Sequence, residues 1–514
     1  MNDARPRRTW RSPIFVYLMR ASLVLGLPAT AAAEGAAQTA AQATAPVDAS
    51  VDGFVAEYRA AVASYTATLD FSQSPEPARP LSPAAARPNP PYSLDDLLAL
   101  AATGNPALRA TGAAEDAARA DLTSARVRRL PTLGTETTGT YIANPTDPIV
   151  LPGALLHSPS DIILYEGSGN SLYSFKLTGD LPLFSWGKIS LGIDLARTGL
   201  SAAALQRQKA ERELAVRLRA SWDALAYVRR AGDVLDLQSR IGQRLVELAS
   251  QSAAAGFITA VDLANARIKL KEIEMARTRL RERRDRLLSD LASMAGLGSL
   301  TEQDVVITAP ASGAPRWTED QLWALAVTGS DDLALASAQL AVKQGQKRLA
   351  EKEALGLPDI GLHVELSYGG PSMPFAQDDW RTKDDYQLTL SLGASGSILG
   401  NGVKIAQNVR ARAELARAEA QYADAERSLR TYIHDTLLGI ALGKAQLEYA
   451  ALKQEGWSAD LGQRREAIIA GAGSETEYLS LMIEALGGLA EAYGTLADYR
   501  SALLSLDLVS GTAP

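Results

Sequence analysis

Side chains able to make or break covalent bonds are few in this chain and far apart. The three histidines, His157, His363 and His434, are scattered, and each reads as a surface or strand residue. There is no cysteine, which excludes thiolate metal sites, cysteine nucleophiles, disulfide frameworks and a lipid-modified N-terminal cysteine. No nucleophile–base set, metal-ligand cluster or phosphate-binding glycine loop is apparent. Gly167-Ser168-Gly169 reads as a loop, and Gly393-Ala394-Ser395-Gly396-Ser397 as the end of a strand. No enzyme, cofactor or bound metal is expected. The informative charges are of another kind. Asp262 and Glu477 each lie six residues after a glycine, Gly256 and Gly471, at helix starts where the helix dipole favours an acid. Lys176, Asp180 and Glu365 alternate with apolar residues. The run Arg277, Arg279, Arg281, Arg283, Arg284 and Arg286 is interleaved with Glu274, Glu282 and Asp285 and reads as a solvated helix face.

The elements that carry these residues occur twice. A helical segment reaches Leu130-Pro131 in the first copy and Leu357-Pro358 in the second. Alternating strands follow, then a glycine turn (Gly187-Lys188; Gly402) and a very long Ala-rich helix. Each long helix ends at a matching turn, Ala255-Gly256-Phe257-Ile258-Thr259 and Ala470-Gly471-Ala472-Gly473-Ser474. The spacing holds, since 402 − 187 = 215 and 471 − 256 = 215. Such regularity marks one supersecondary unit used twice. In the strands Tyr173, Phe175, Leu177 and Leu181 oppose Ser174, Lys176, Thr178 and Asp180. Ile360, Leu362, Val364, Leu366 and Tyr368 oppose Gly361, His363, Glu365 and Ser367. Tyr386, Leu388, Leu390, Leu392 and Ala394 oppose Gln387, Thr389, Ser391 and Gly393. Period two puts one face in apolar and one in polar surroundings. Strands of roughly 9–11 residues match a tilted bilayer span. A soluble sheet on a core is the alternative, but the long helices offer little to serve as that core. Leu133–Tyr141 is a weaker strand, rich in Thr and Gly.

The helices set the geometry. Ser93 begins a short helix and Asn105-Pro106 a second, running to about Arg129. Ile189–Ala254 and Val403–Ala470 are the long helices, the first marked by Leu200, Leu214, Leu218, Leu225, Leu235 and Leu245 and roughly 100 Å long at 1.5 Å per residue. Thr259–Ala295 and Ser474–Leu506 return, and Thr318–Val327 and Asp331–Leu355 precede the second strand pair. The returning and pre-strand helices, end to end, sum to about one long helix. Each copy can therefore form a two-stranded antiparallel coiled coil, with strands at one end and the Gly256 and Gly471 turns at the other.

With 46% hydrophobic residues and a net charge of −7, the chain carries no basic footprint for nucleic acid. Arg5, Arg7, Arg8 and Arg11, the apolar Ile14–Leu27 and Ala31-Ala32-Ala33 resemble an export signal over 1–33, interrupted by Arg20, so that Met19 is an alternative start to Met1. Residues 34–91 form an Ala/Pro-rich extension. Val51, Phe54, Val55, Tyr58, Val62, Tyr65 and Leu69 fall at helical spacing there, followed by a proline-rich connector. The extension is expected either packed along the main body or loose. The two copies then run 92–300 and 301–514.

From Tyr92 to Leu506 the chain resembles the TolC family of outer-membrane efflux proteins. The first-copy signals are Tyr92-Ser93-Leu94, Asn105-Pro106, Leu130-Pro131, Leu183-Phe184-Ser185-Trp186-Gly187-Lys188 and Gly256 followed by Asp262. The resemblance implies a mainly α fold with a membrane β component. The duplicated strand–strand–long-helix unit would form a homotrimer whose twelve-stranded β-barrel, four strands per chain, continues into a periplasmic α-helical coiled-coil tunnel. It implies an outer-membrane location in a Gram-negative bacterium, with a long periplasmic portion and outer-membrane lipid around the barrel. Tyr173, Phe175, Leu177, Leu388 and Leu390 would face lipid, and Lys176, Asp180, Glu365 and Gln387 the pore. Tyr141–Asn170 and Gly369–Asp385 would be external loops. Function would be that of an exit duct in a tripartite efflux system, joined to a periplasmic adaptor (membrane fusion protein) and an inner-membrane pump. By the family pattern Glu477 belongs to a carboxylate ring at the periplasmic entrance, and Asp262 to the gating network. The next inward acid falls at Ser480, and the expected basic partner at Gly473, so neither of those family charges is present. The adaptor would contact the tips, Gly256, Phe257, Thr259, Gly471, Gly473 and Ser474.

Two other readings stay open on sequence. An exit duct for type I protein secretion shares all these features. A soluble periplasmic coiled-coil scaffold or adaptor would lack the barrel, which the strand alternation argues against. The export signal has a direct check. N-terminal sequencing of the mature protein is expected to begin after Ala33, and a mature chain retaining Trp10 would remove the signal.

Overall fold

The computed structural model describes residues 49–511 except 73, 75–78, 80, 82–88, 145–148, 153–161, 166–170, 371–372, 376–385 and 396–400. The expected signal segment lies outside the described residues. So do most of the proline connector, the charged loop Asp378–Asp385 and much of the loop 141–170.

Helix starts follow from local chemistry. The N-terminal periodicity forms α1 (Ala49–Thr68), packed on the main body. Ser93 caps α2 (Leu94–Gly104) in a reciprocal box with Asp96, which satisfies two otherwise orphaned N–H groups. Asn105 ends α2 and starts α3 (Pro106–Val127). Its Oδ1 accepts from the N–H groups of Ala107 and Leu108, and Pro106 takes the first turn, where its missing N–H costs nothing.

The strands follow in β1 (Thr132–Tyr141), β2 (Ile149–Leu151), β3 (Ile162–Tyr165) and β4 (Ser171–Phe184). The first long hairpin is α4 (Lys188–Ala254) and α5 (Ala260–Ala295). The second copy contributes α6 (Glu319–Gly329), α7 (Asp331–Ala354), β5 (Asp359–Gly370), β6 (Tyr386–Ser395), α8 (Asn401–Ile469) and α9 (Glu475–Ser510). The four long strands make one antiparallel sheet in the order β1-β4-β5-β6, while β2 and β3 pair separately. That short ribbon is an addition to the expected loop 141–170, and β5 extends through Gly369 and Gly370.

Register shows what the sheet is for. Asp180 stands opposite His363, Thr178 opposite Glu365, and Lys176 opposite Ser367. Those residues face Ser391, Thr389 and Gln387 on β6 and Thr132, Gly134 and Glu136 on β1. Over this span one face is polar across all four strands. The other carries Phe175, Leu177, Leu362, Val364, Leu366, Leu388, Leu390 and Leu392. Among the described residues no helix packs across either face. Leu388, Leu390 and Leu392 stay about 70% exposed (71%, 69% and 69%). An apolar sheet face left open in this way marks a surface for a membrane or for another protein chain.

The helices pair as their lengths predict. α4, with 67 residues, takes α3 (22) alongside one part and α5 (36) alongside another; α8, with 69, takes α7 (24) and α9 (36). α4 also packs on α7 and α9, joining the copies. The junctions repeat too. Gly296 and Gly511 end α5 and α9 with φ of +72° and +64°. A Cβ on Gly296 would lie 2.6 Å from the Gly104 oxygen, and one on Gly511 2.2 Å from the Gly329 oxygen. Only glycine allows both the left-handed turn and that approach. No described helix is long and apolar enough to cross a membrane.

The core lies mainly between α4 and α9. Leu479, Met482, Leu486, Leu489 and Leu496 are fully buried there, each worth ~1.5–3 kcal/mol. Of the expected α4 stripe, Leu214, Leu218, Leu225, Leu235 and Leu245 are buried and Leu200 is half-buried. The seam also holds charge. Arg500 Nε donates to Asp223 Oδ2 at 3.0 Å, and Arg219 Nε lies 3.3 Å from Asp223 Oδ1. Asp507 is buried nearby, with Oδ2 unpartnered. Burial pushes its carboxyl up to about 6, against Arg316, Arg500 and Arg219. A folded-state value above the unfolded one makes stability fall as pH rises through it. Asp507 should therefore make the protein more stable at pH 5 than at pH 7.5, by on the order of 1 kcal/mol. Asp507→Asn is expected to remove that increment in denaturation measured at both pH values, and an undiminished pH difference would show that another group carries it.

Candidate functional site

Three places on this frame gather the singled-out residues. The first is the polar sheet face. His363 Nδ1 lies 2.7 Å from Asp180 Oδ1, its Nε2 3.6 Å from Glu365 Oε2, and Lys176 Nζ 3.6 Å from Glu365 Oε1. Gln387 lies opposite Ser367 on the same face. Three carboxylates, Glu136, Asp180 and Glu365, share it with one lysine, so the face is acidic while His363 is neutral. Among the described residues no group of His, Asp and Glu is arranged to hold a metal ion. The arrangement can attract cations.

The second place joins strands to helices. Trp186 takes φ +56° and Gly187 +82°, turning β4 sharply into α4. Trp186 Nε1 donates to the Pro358 oxygen at 2.8 Å, and Lys188 Nζ to the Leu357 oxygen at 3.1 Å. Lys188 also pairs with Asp359 at 2.9 Å. The Phe184 and Trp186 rings meet edge to face. The Leu-Phe-Ser-Trp-Gly-Lys run of one copy is thus bolted to the Leu-Pro run of the other.

The third place is the far end, where the two long hairpins turn. Gly256 and Gly471 have φ of +78° and +76°. The Phe257 N–H donates to the Ser252 oxygen, and the Ala472 N–H to the Ala467 oxygen, both at 2.9 Å. Both are therefore the same Schellman-type stop, which recovers orphan carbonyls. Thr259 caps α5 in a box with Asp262, whose carboxylate accepts from the Thr259 N–H at 2.9 Å and from its hydroxyl at 2.7 Å. Those bonds hold the Asp262 carboxyl below the usual range. Ser474 precedes α9 without a side-chain cap, its Oγ lying 2.8 Å from Thr476 Oγ1. Phe257 is 76% exposed.

Asp262, Glu477 and Ser480 come together in a cleft of about 440 Å³, with Lys269, Arg464 and Glu484. Arg464 Nη1 lies 3.4 Å from Glu477 Oε2, and Lys269 Nζ 3.7 Å from Glu484 Oε1. The expected basic position, Gly473, does remain uncharged, but Arg464 supplies a cation from α8. Sequence reasoning missed Arg464, Lys269 and Glu484. A signal for them existed: Asp262/Glu477, Lys269/Glu484 and Ala249/Arg464 are pairs at the duplication offset, and all six line the cleft.

Among the described residues the sheet has no covering helix, and it is bolted to coiled coils that end in paired turns. Residues 97–297 match the sequence profile described as outer membrane efflux protein. No curated protein sequence matches the chain. Among solved structures, the fold is similar to CusC (TM-score 0.65, 15% identity, covering 86% of this chain and 99% of that one). It is also similar to the CmeC outer membrane channel of Campylobacter jejuni (0.65, 13%, 87% and 91%). The third is the outer membrane protein VceC of Vibrio cholerae (0.64, 16%, 81% and 96%).

Glu477 is tested by single-channel recording. Glu477→Gln is expected to weaken blockade by multivalent cations, because it removes one acid per chain from the cleft mouth. Unchanged blockade would take Glu477 out of the ion path.

Proposed function

We propose that three copies of this chain close head to tail into one twelve-stranded barrel continuous with a helical tunnel. The assembly would be the outer-membrane exit duct of a tripartite efflux system. Drugs, metals or other small solutes would pass through it from an inner-membrane pump and a periplasmic adaptor to the exterior.

The observation that carries this reading is an unfinished edge at every level. β1 and β6 each pair on one side only. α3 and α5 lie at one end of the helix order and α8 at the other. The duplication supports what fills these edges. Inside the chain, Tyr227, Val234 and Leu237 of α4 share a buried cluster with Ile483 of α9, with Ala490 packed against it. The residues at the duplication offset are Leu442, Tyr449 and Leu452 of α8, and Ile268 and Met275 of α5. They are apolar yet exposed, at 60%, 61%, 65%, 55% and 46%. A second copy supplying its α5 to this α8 would repeat the internal seam. The contact is heterologous, so a rotation of one third of a turn per copy would close it into a ring of three, and ring closure leaves no strand edge in lipid.

In that ring Tyr173, Phe175, Leu177, Leu388 and Leu390 face lipid. Lys176, Asp180, Glu365 and Gln387 line the pore and favour cations. The cleft holding Glu477, Asp262 and Ser480 lies at the entrance, and the tips from Gly256 to Thr259 and Gly471 to Ser474 meet the adaptor. The mass of protein purified from outer membranes in mild detergent, detergent subtracted, is expected to be that of three chains. Ile268→Glu and Leu442→Glu, each burying a charge at every seam, are expected to shift it to one chain. A monomer stable without detergent would overturn the duct.

A further inference from the structure

One element has no equivalent in the second copy. α1 lies across the seam between the two coiled coils, with Val51, Val55, Tyr58 and Tyr65 buried. It runs from the turns toward the connector. At its end the Ser312 N–H donates to the Thr68 oxygen and the Gly313 N–H to the Asp70 oxygen, both at 2.9 Å. Tyr65 meets Tyr493 of α9 edge to face, with centroids 5.4 Å apart. The Tyr58 hydroxyl donates to Gln454 Oε1 of α8 at 3.2 Å. Nearest the turns, Arg465 of α8 pairs with Asp52 at 2.6 Å.

Its hold on α4 is of another kind. Between α1 and α4 lies a cleft of about 270 Å³, lined in part by Ala60, Ser64, Arg230 and Val234. Beside it Glu57 and Arg240 form a two-pronged ion pair at the surface. So α1 is rooted by aromatic burial in the α8/α9 pair and held to α4 partly by an exposed ionic link. Both attachments fall in the halves of α4 and α8 that lead to Gly256 and Gly471.

We propose that α1 is a clamp. It ties the α8/α9 pair to α4 across the seam, and so limits how far the two hairpin turns can part. The clamp rests on the duct reading above, since a parting of the turns has a function only if they surround an entrance. The cleft with Arg464 and Glu477 and the α1 attachment involve different residues of α9, Glu477 and Glu484 on one hand and Tyr478 and Tyr493 on the other. The clamp and the tip ion pair are thus separate restraints.

The chain lacks cysteine, so an introduced pair supplies the only thiols. Glu57→Cys/Arg240→Cys joined by a short bifunctional thiol reagent tightens the clamp, and Arg240→Glu loosens it. In planar bilayers Arg240→Glu is expected to raise open probability severalfold, up to about tenfold. Glu57→Arg/Arg240→Glu should return it to the wild-type value, a rescue that general destabilisation would not produce. The cross-linked pair is expected to stay in the low-conductance state even when combined with Glu477→Gln, and cleavage of the linker to release it. Wild-type channels indifferent to both loosening and cross-linking would overturn the clamp and leave the duct standing. A wild-type protein that forms no channels would overturn the duct, and the clamp with it.

Discussion

An unpaired strand edge cannot remain in hydrocarbon, and most of this structure answers that constraint. Each backbone N–H or C=O left open in a bilayer costs several kcal/mol, and β1 and β6 present a full row of them. The sheet cannot curl to satisfy both edges within one chain, because four strands are too few to close a barrel. In the proposed duct other copies complete it. Because the strands are bolted to the helices, the helical edges must meet in the same order, and their exposed apolar stripes lie where that order requires.

Duplication makes this economical. One seam, α4 against α9, is packed and buried within the chain. In the proposed ring its counterpart, α8 against the next α5, would be assembled between chains, from residues at the same offset. The same arithmetic explains the cleft at the turns, where equivalent positions of the two copies face one another. They have diverged in charge: Ala249 became Arg464 at the equivalent position, and Lys269 corresponds to Glu484. The pocket is held by one ion pair between the copies, Lys269 with Glu484, and one within the second, Arg464 with Glu477, without a basic residue at Gly473.

Much of this was legible in the residues. The long-helix limits, the turns and the strand faces followed from periodicity and glycine placement. β1 was the weakest signal, being rich in Thr and Gly, yet it forms a full strand, because its register is set by β4 and not by its own apolarity. What sequence did not disclose depends on contacts across the fold. Arg464 reaches Glu477 from a neighbouring helix. Gly104 meets Gly296 only once α5 returns to the start of α3. The seating of α1 was left open because a helical stripe says that something is buried, without saying against what. The ribbon of β2 and β3 was hidden in a segment too short to show a period.

The bolt at Trp186 and Lys188 has a mechanical consequence. At 1.5 Å per residue, α4 is a lever about 100 Å long, anchored at one end by those bonds to the Pro358 corner. A rotation of only one degree at that fulcrum would swing the far end by about 2 Å, enough to break every hydrogen bond in its path. The fulcrum must therefore be stiff, which is what an indole N–H, a lysine bridge and two backbone carbonyls provide. Strain in the barrel, such as a change in bilayer thickness, would otherwise be amplified along the lever. In the proposed duct the bolt would insulate the distant turns from the membrane, leaving their position to whatever touches them directly.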